Sequence, residues 1–188
     1  MKIYLASMSP RRKELLAEIV PEFEQISTGA AEKAYVEFTT KEKAVKRSKD
    51  KCIAGVSKIH ENGMVVIASD TAVDLDGEIL DKPKTKAEAF NMISKLSGNT
   101  HSVFTAVSVY VKGRMYTFCD ETKVKFNTVP EDVIKEYVET DEPYDKAGGY
   151  AIQGYMSEYI SEIDGDYNNV VGLPVIHLEK LLKGLKII

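Results

Sequence analysis

Residues 64–80 read MVVIASDTAVDLDGEIL, and the order of apolar and turn-forming residues in this stretch decides the fold class. The near-continuous apolar run at 64–69 predicts a short strand covered on both faces, because a strand with one wet face alternates polar and apolar positions. The run ends at Asp70 and Thr71. Asp76-Gly77 then predicts a tight turn between VDL and EIL, which makes an antiparallel hairpin. A buried strand followed at once by a hairpin implies an α/β protein with a mixed β-sheet flanked by helices, not a purely parallel one.

Working outward, KIYLA at 2–6 reads as a buried strand. Ser9 is the expected N-cap of the next helix, with Pro10 at the position where a missing N–H costs nothing. Leu15, Leu16 and Ile19 give that helix its apolar face, and FEQIS at 23–27 reads as a second strand. From about 40 to 61, Val45, Ser48, Cys52, Val56 and Ile59 recur at helical steps. Thr85 with Glu88 is a capping-box pattern opening a helix to about 96. Strands follow at about 101–111 and 114–127, joined at Lys112-Gly113, and Pro130 opens a helix through Val138. The segment 140–154, TDEPYDKAGGYAIQG, has the turn formers and charges of a functional loop. A strand near 157–164 and a helix from about 174 complete the pattern.

The chain has 188 residues, enough for a core that needs neither disulfides nor metal. Its net charge of −4 argues against a general nucleic-acid binder, which needs a basic face. Cys52 and Cys119 lie in no C-x-x-C pair, so the expected compartment is a reducing cytoplasm. MKIYLASMSP lacks the apolar run of a signal peptide, and nothing approaches the roughly 20 apolar residues of a membrane span. The three histidines are scattered, which gives a histidine metal site or triad little support. Neither the G-x-x-x-x-G-K-[ST] loop nor the G-x-G-x-x-G fingerprint occurs.

Four clusters carry candidate chemistry. Ser7, Ser9, Arg11 and Arg12 (LASMSPRR, 5–12) put two guanidinium forks at a helix N-terminus, a combination suited to a polyphosphate; alone, the same residues describe a capped surface helix. In ASDT, 68–71, Asp70 sits at the end of a buried strand, where it either binds a divalent cation, activates a water, or simply ends the strand. Thr71 adds a hydroxyl. Lys82, in DKPK after the hairpin, can return to the face of Asp70, whereas Lys51 by spacing alone belongs to a solvated helix face. Glu32 matters only if it converges with Asp70 on a hard cation. In EPYDKAGGYAIQG, 142–154, Gly148 and Gly149 permit close approach to a ligand, and the Gln153 amide suits the edge of a base. GDYNNVVGLP, 165–174, reads as a structural turn in which Asn168 or Asn169 satisfies loop backbone groups.

Taken in order and spacing, LASMSPRRKELL, ASDT, DKPKTKAEA, LSGNTH, EPYDKAGGYAIQG and GDYNNVVGLP resemble the Maf family over residues 5–174. The resemblance implies a single Maf-like domain over 1–188, with an elongated mixed sheet, two lobes around a cleft and an inosine triphosphatase-like fold, in a family where homodimers are common. It implies a cytoplasmic nucleoside triphosphate pyrophosphatase with a link to arrest of septum formation and no stable nucleic-acid or membrane partner. Arg11 and Arg12 would grip the triphosphate beside Ser7 and Ser9, with Lys51, Thr71, Lys82 and Gln153 as further substrate contacts. Asp70 would accept a proton, and Asp70 with Glu32 would hold a divalent cation (Mg²⁺, Mn²⁺ or Co²⁺). Asp70-Thr71 and Ile152-Gln153-Gly154 resemble the dTTP/UTP branch; the 7-methyl-GTP branch tends to Asp-Gln and Ser-Glu-Gly. The competing expectation is a nucleotide-sensing regulator of septum formation without significant catalysis.

Overall fold

Short apolar runs and capped helices follow one another as β1 (Ile3–Leu5), α1 (Pro10–Ala17), β2 (Glu24–Gln25), α2 (Thr40–Val56), β3 (Val65–Leu75), β4 (Glu78–Leu80), α3 (Lys86–Leu96), β5 (Thr100–Val111), β6 (Arg114–Phe126), α4 (Glu131–Tyr137), β7 (Ile160–Asp164), α5 (Tyr167–Val171) and α6 (Val175–Gly184). This computed structural model describes residues 1–30, 35 and 37–188. Between α4 and β7 the chain makes three 3-10 turns, Glu142–Asp145, Ala147–Gly149 and Tyr155–Tyr159.

The sheet runs β2-β1-β3-β5-β6-β7, with β4 also on β3. Only β1–β2 and β1–β3 are parallel; the other pairs are antiparallel, so the sheet is mixed as expected. The long antiparallel core of β3, β5 and β6 carries the fold. β5 pairs with β3 over Val65–Asp74, which leaves the opposite edge of β3 to two short strands. β1 takes residues 65–67 of that edge and β4 takes 73–75. Between them, residues 68–72 have no strand beside them on that edge among the described residues.

Side chains alternate along β3, as pleating requires. Val66 and Ala68 pack on the α2 side, with Tyr4, Ala6 and Cys52. Val65 and Ile67 join Leu16, Leu173, Leu178 and Leu182 on the opposite face. At the far end Val73 and Leu75 enter a third cluster with Ile93, Phe126, Ile134 and Met156.

Several expected boundaries move. β3 does not stop at 69 but continues through Asp70 to Leu75, because β5 supplies an unbroken ladder alongside. β2 is reduced to two residues, since β1 offers it only a three-residue edge. α2 ends at Val56 rather than 61, and Ile59 packs on the sheet from the connecting segment. The strand expected from 157 begins at Ile160, after a turn that buries Met156 in the core. GDYNNVVGLP, expected as a turn, contains the short helix α5.

Candidate functional site

A cavity of about 420 Å³ opens where β3 lacks an edge partner. That gap explains how Asp70 and Thr71, on opposite faces of one strand, reach a single space. Asp70 is therefore mid-strand, not at a strand end, and the open edge places it where a strand end would.

The β1–α1 connection supplies one wall. Ser7 Oγ accepts from the Ser9 N–H at 3.3 Å, and Ser9 Oγ caps α1 by accepting from the Arg12 N–H at 3.4 Å. Both arginines then line the cavity. Arg12 is held: Nε donates to the Gly172 carbonyl at 3.0 Å and Nη2 to Thr71 Oγ1 at 3.1 Å. Thr71 Oγ1 meets Thr105 Oγ1 at 2.9 Å, and Thr105 donates to the Asn169 carbonyl at 2.7 Å. Asn169 is fully buried and donates from Nδ2 to the Val103 carbonyl and to Thr122 Oγ1. The segment read as purely structural thus fixes Arg12 from behind. Gly172 is needed there: its φ is +124°, and an added Cβ would lie 3.2 Å from Arg12 Nε. Arg11 faces Asp145 across the cavity at 3.7 Å.

On the α2 side, Lys51 is not on a solvated face: its Nζ donates to Asp70 Oδ1 at 2.5 Å. Side chains on α2 form a polar stripe against the sheet, including Thr40 on Asp74, Ser48 on Ser108 and Arg47 on Asp81. Asp70 Oδ2 is buried and has no hydrogen-bond partner among the described residues. Burial pushes the Asp70 carboxyl above the ordinary carboxylate range, against the pull of Lys51, Arg12 and Arg47.

Lys82 and Gln153 complete the lining from the β4–α3 connection and the late loop. Of the ten residues expected to contact substrate or cation, the nine within the described residues, Ser7, Ser9, Arg11, Arg12, Lys51, Asp70, Thr71, Lys82 and Gln153, all line this cavity. The expectation for Glu32 lies outside the described residues. Sequence reasoning missed Arg47, Asp81, Asp145 and Lys146, which also line it. Arg47 carried one legible signal, its place one helical turn before Lys51 on the same face. Six basic and three acidic side chains therefore surround the space among the described residues, inside a protein of net charge −4. A space so lined favours a multiply charged anion.

The profile of the Maf-like protein family matches residues 2–185. The chain belongs to the Maf family. The dTTP/UTP pyrophosphatase of Bacillus velezensis is 42% identical over 186 residues, covering 99% of this chain and 97% of that protein. That of Escherichia coli K12 is 41% identical over 180 residues, covering 96% and 91%. In fold the chain is similar to the Staphylococcus aureus Ham1 protein, with a TM-score of 0.56 at 16% identity over 98% of this chain and 100% of that one. This likeness agrees with the inosine triphosphatase-like architecture expected from the Maf motifs. No helix among the described residues is long and apolar enough to cross a membrane.

Proposed function

We propose that this Maf protein is a nucleoside triphosphate pyrophosphatase that hydrolyses dTTP and UTP, or modified pyrimidine nucleotides, to the monophosphate and pyrophosphate. The observation that carries the reading is the pairing, in one cavity, of a cationic wall with a buried carboxylate oxygen that has no hydrogen-bond partner among the described residues. Relatives named dTTP/UTP pyrophosphatase, at 41–42% identity over nearly the whole chain, support the substrate class.

Arg11 and Arg12 bind the oxygens of the phosphate chain, Arg12 held in aim by Gly172 and Thr71. Lys51 secures Oδ1 of Asp70, which leaves Oδ2 to face the nucleophilic water. A water attacks the α-phosphorus, its proton passes to Asp70, and the bond from the α-phosphorus to the bridging oxygen breaks. Pyrophosphate departs with that oxygen, its developing charge met by the arginines and Lys82. Burial raises the proton affinity of Asp70 and so makes it a stronger base, while Lys51, Arg12 and Arg47 favour the ionised form needed at the start. Gln153 presents a donor and an acceptor on one amide, matching the imide N–H and carbonyl of a uracil or thymine ring.

The oxygen chemistry of Asp70 fits a hard divalent cation, Mg²⁺, Mn²⁺ or Co²⁺. Asp70 Oδ2 has no hydrogen-bond partner among the described residues, and its two lone pairs allow contact with such an ion as well as with the attacking water; the ion would fill its remaining positions with water and substrate phosphate. Asp70 would hold it, with Glu32 as the second carboxylate implied by the resemblance to the Maf family. Bound there, the cation supplies charge neutralisation on the phosphates. By resemblance the protein acts in the cytoplasm, in a family where dimers are common.

The test is a panel of canonical and modified triphosphates with Mg²⁺, Mn²⁺ or Co²⁺, scored for pyrophosphate and monophosphate. Asp70→Asn is expected to lower kcat by about 10²–10⁴-fold. Tight binding with no pyrophosphate released from any triphosphate would replace the enzyme reading with the nucleotide-sensing one.

A further inference from the structure

Arg47 is the most enclosed cation of the cavity wall; the mechanism gives it no contact with substrate and only the smallest share in keeping Asp70 ionised. Its side chain is 7% exposed and its guanidinium forks onto Asp81, with Nη1 on Oδ1 at 2.8 Å and Nη2 on Oδ2 at 3.4 Å. The two residues come from different elements: Arg47 from α2, one turn before Lys51, and Asp81 from the residue that follows β4. The ion pair thus ties α2 to the β4–α3 connection, and all of Arg47, Asp81 and Lys82 line the cavity. The pair joins a buried guanidinium to a carboxylate that keeps a half-exposed side chain.

Lys82 follows Asp81 directly and precedes Pro83. A lysine is a point charge on a flexible stem, so its aim depends on how firmly its backbone is held. Pro83 restricts that backbone on one side, since the residue before a proline is confined to extended conformations. On the other side, the Arg47 fork anchors the side chain of the preceding residue, Asp81. Arg47 rather than lysine suits the task, because only a planar guanidinium engages both carboxylate oxygens at once.

We propose that Arg47 is a positioning residue that, by clasping Asp81 across the open edge of β3, presents Lys82 to the phosphate chain of the substrate. The inference rests on the nucleotide reading above and assigns a role within that site to a residue outside its motifs.

A double-mutant cycle between Arg47→Met and Lys82→Ala tests it, read by UTP turnover and by equilibrium binding of the non-hydrolysable α,β-imido analogue of UTP. Arg47→Met is expected to raise KM and the analogue Kd about tenfold in the wild-type background, with kcat changed by less than about threefold. In the Lys82→Ala background the same substitution is expected to add little, because the group it aims is gone. Asp81→Asn alters only a half-exposed side chain and so tests the clasp without risking the core; it is expected to reproduce the KM rise. Arg47→Lys is expected to recover only part of it. Additive effects in the cycle, or a KM untouched by Asp81→Asn, would overturn the proposal. If the wild type binds the analogue yet releases no pyrophosphate, the catalytic reading fails while the binding cycle still decides the role of Arg47. A wild type that binds no analogue overturns both.

Discussion

The two oxygens of Asp70 have different partners, and this difference organises the chemistry. Oδ1 is claimed by Lys51, whereas Oδ2 is buried and without a hydrogen-bond partner among the described residues. Because burial raises this carboxyl and Lys51 is the largest opposing influence, activity that needs ionised Asp70 fails on the acid side at a pH above the ordinary carboxylate range. Replacing Lys51 with Met is expected to move that acid limb further up, as seen in kcat/KM against pH; a limb that stays put would remove Lys51 from the assignment. His101 offers a second test at this scale. It is buried, shares a 2.7 Å hydrogen bond with the Tyr150 hydroxyl, and burial lowers its pKa from 6.5 to about 4. The unfolded chain therefore takes up this proton first as pH falls. The associated stability is complete above about pH 6.5 and is lost progressively toward pH 4, by about 3 kcal/mol in all. Urea midpoints at several pH values should show this loss in the wild type and a flatter dependence in His101→Gln.

Among the elements, helix starts were the most legible because capping is local chemistry. Ser9 caps α1 as its sequence implies. Thr85 caps α3 by accepting from the Glu88 N–H, but Glu88 returns to the Lys84 N–H rather than to Thr85, so the reciprocal half of the box is displaced by one residue. The full capping box is at Thr39 and Glu42, opening α2. The paired glycines of 140–154, expected to admit a ligand, instead admit the core: Gly148 faces Val73, Gly149 faces Met92 and Pro83, and neither lines the cavity. Gly148 has φ +75°, and an added Cβ would lie 3.0 Å from Val73 Cγ2. Gly148→Ala therefore meets both a backbone penalty and a clash with β3, and is expected to destabilise by about 1–3 kcal/mol. Val73→Ala in the same chain removes the two closest contacts but neither the one to Cβ at 3.3 Å nor the backbone penalty, so part of the lost melting temperature is expected to return if the contact matters.

For the whole molecule, the cavity couples distant parts of the chain: α1, the middle of α2, β3, the late loop and α5 all border it. A bound nucleotide should therefore stabilise the fold as a unit. A non-hydrolysable UTP analogue at 100 times its Kd contributes about 2.7 kcal/mol, which for a chain of this size is a rise of roughly 5–10 °C in one cooperative calorimetric transition. A split transition, with only one part responding to ligand, would contradict a single domain organised around one site.

Short-range features were decided by the sequence itself. The apolar run at 64–69, the turn at Asp76-Gly77, the caps, and the motif order from LASMSPRR to GDYNNVVGLP depend on neighbours a few residues apart, and local sterics and hydrogen bonding suffice to read them. The tertiary structure alone decided where β3 ends, because its length is set by the ladder β5 provides rather than by its own composition. It alone drew Lys51 and Arg47 out of a lysine-rich helix and onto Asp70 and Asp81, and bound Arg12 to a carbonyl 160 residues away. Charged side chains look alike in sequence whether solvated or enclosed; only the packing of α2 and α5 around an unpaired strand edge determines which of them lose water and face one another.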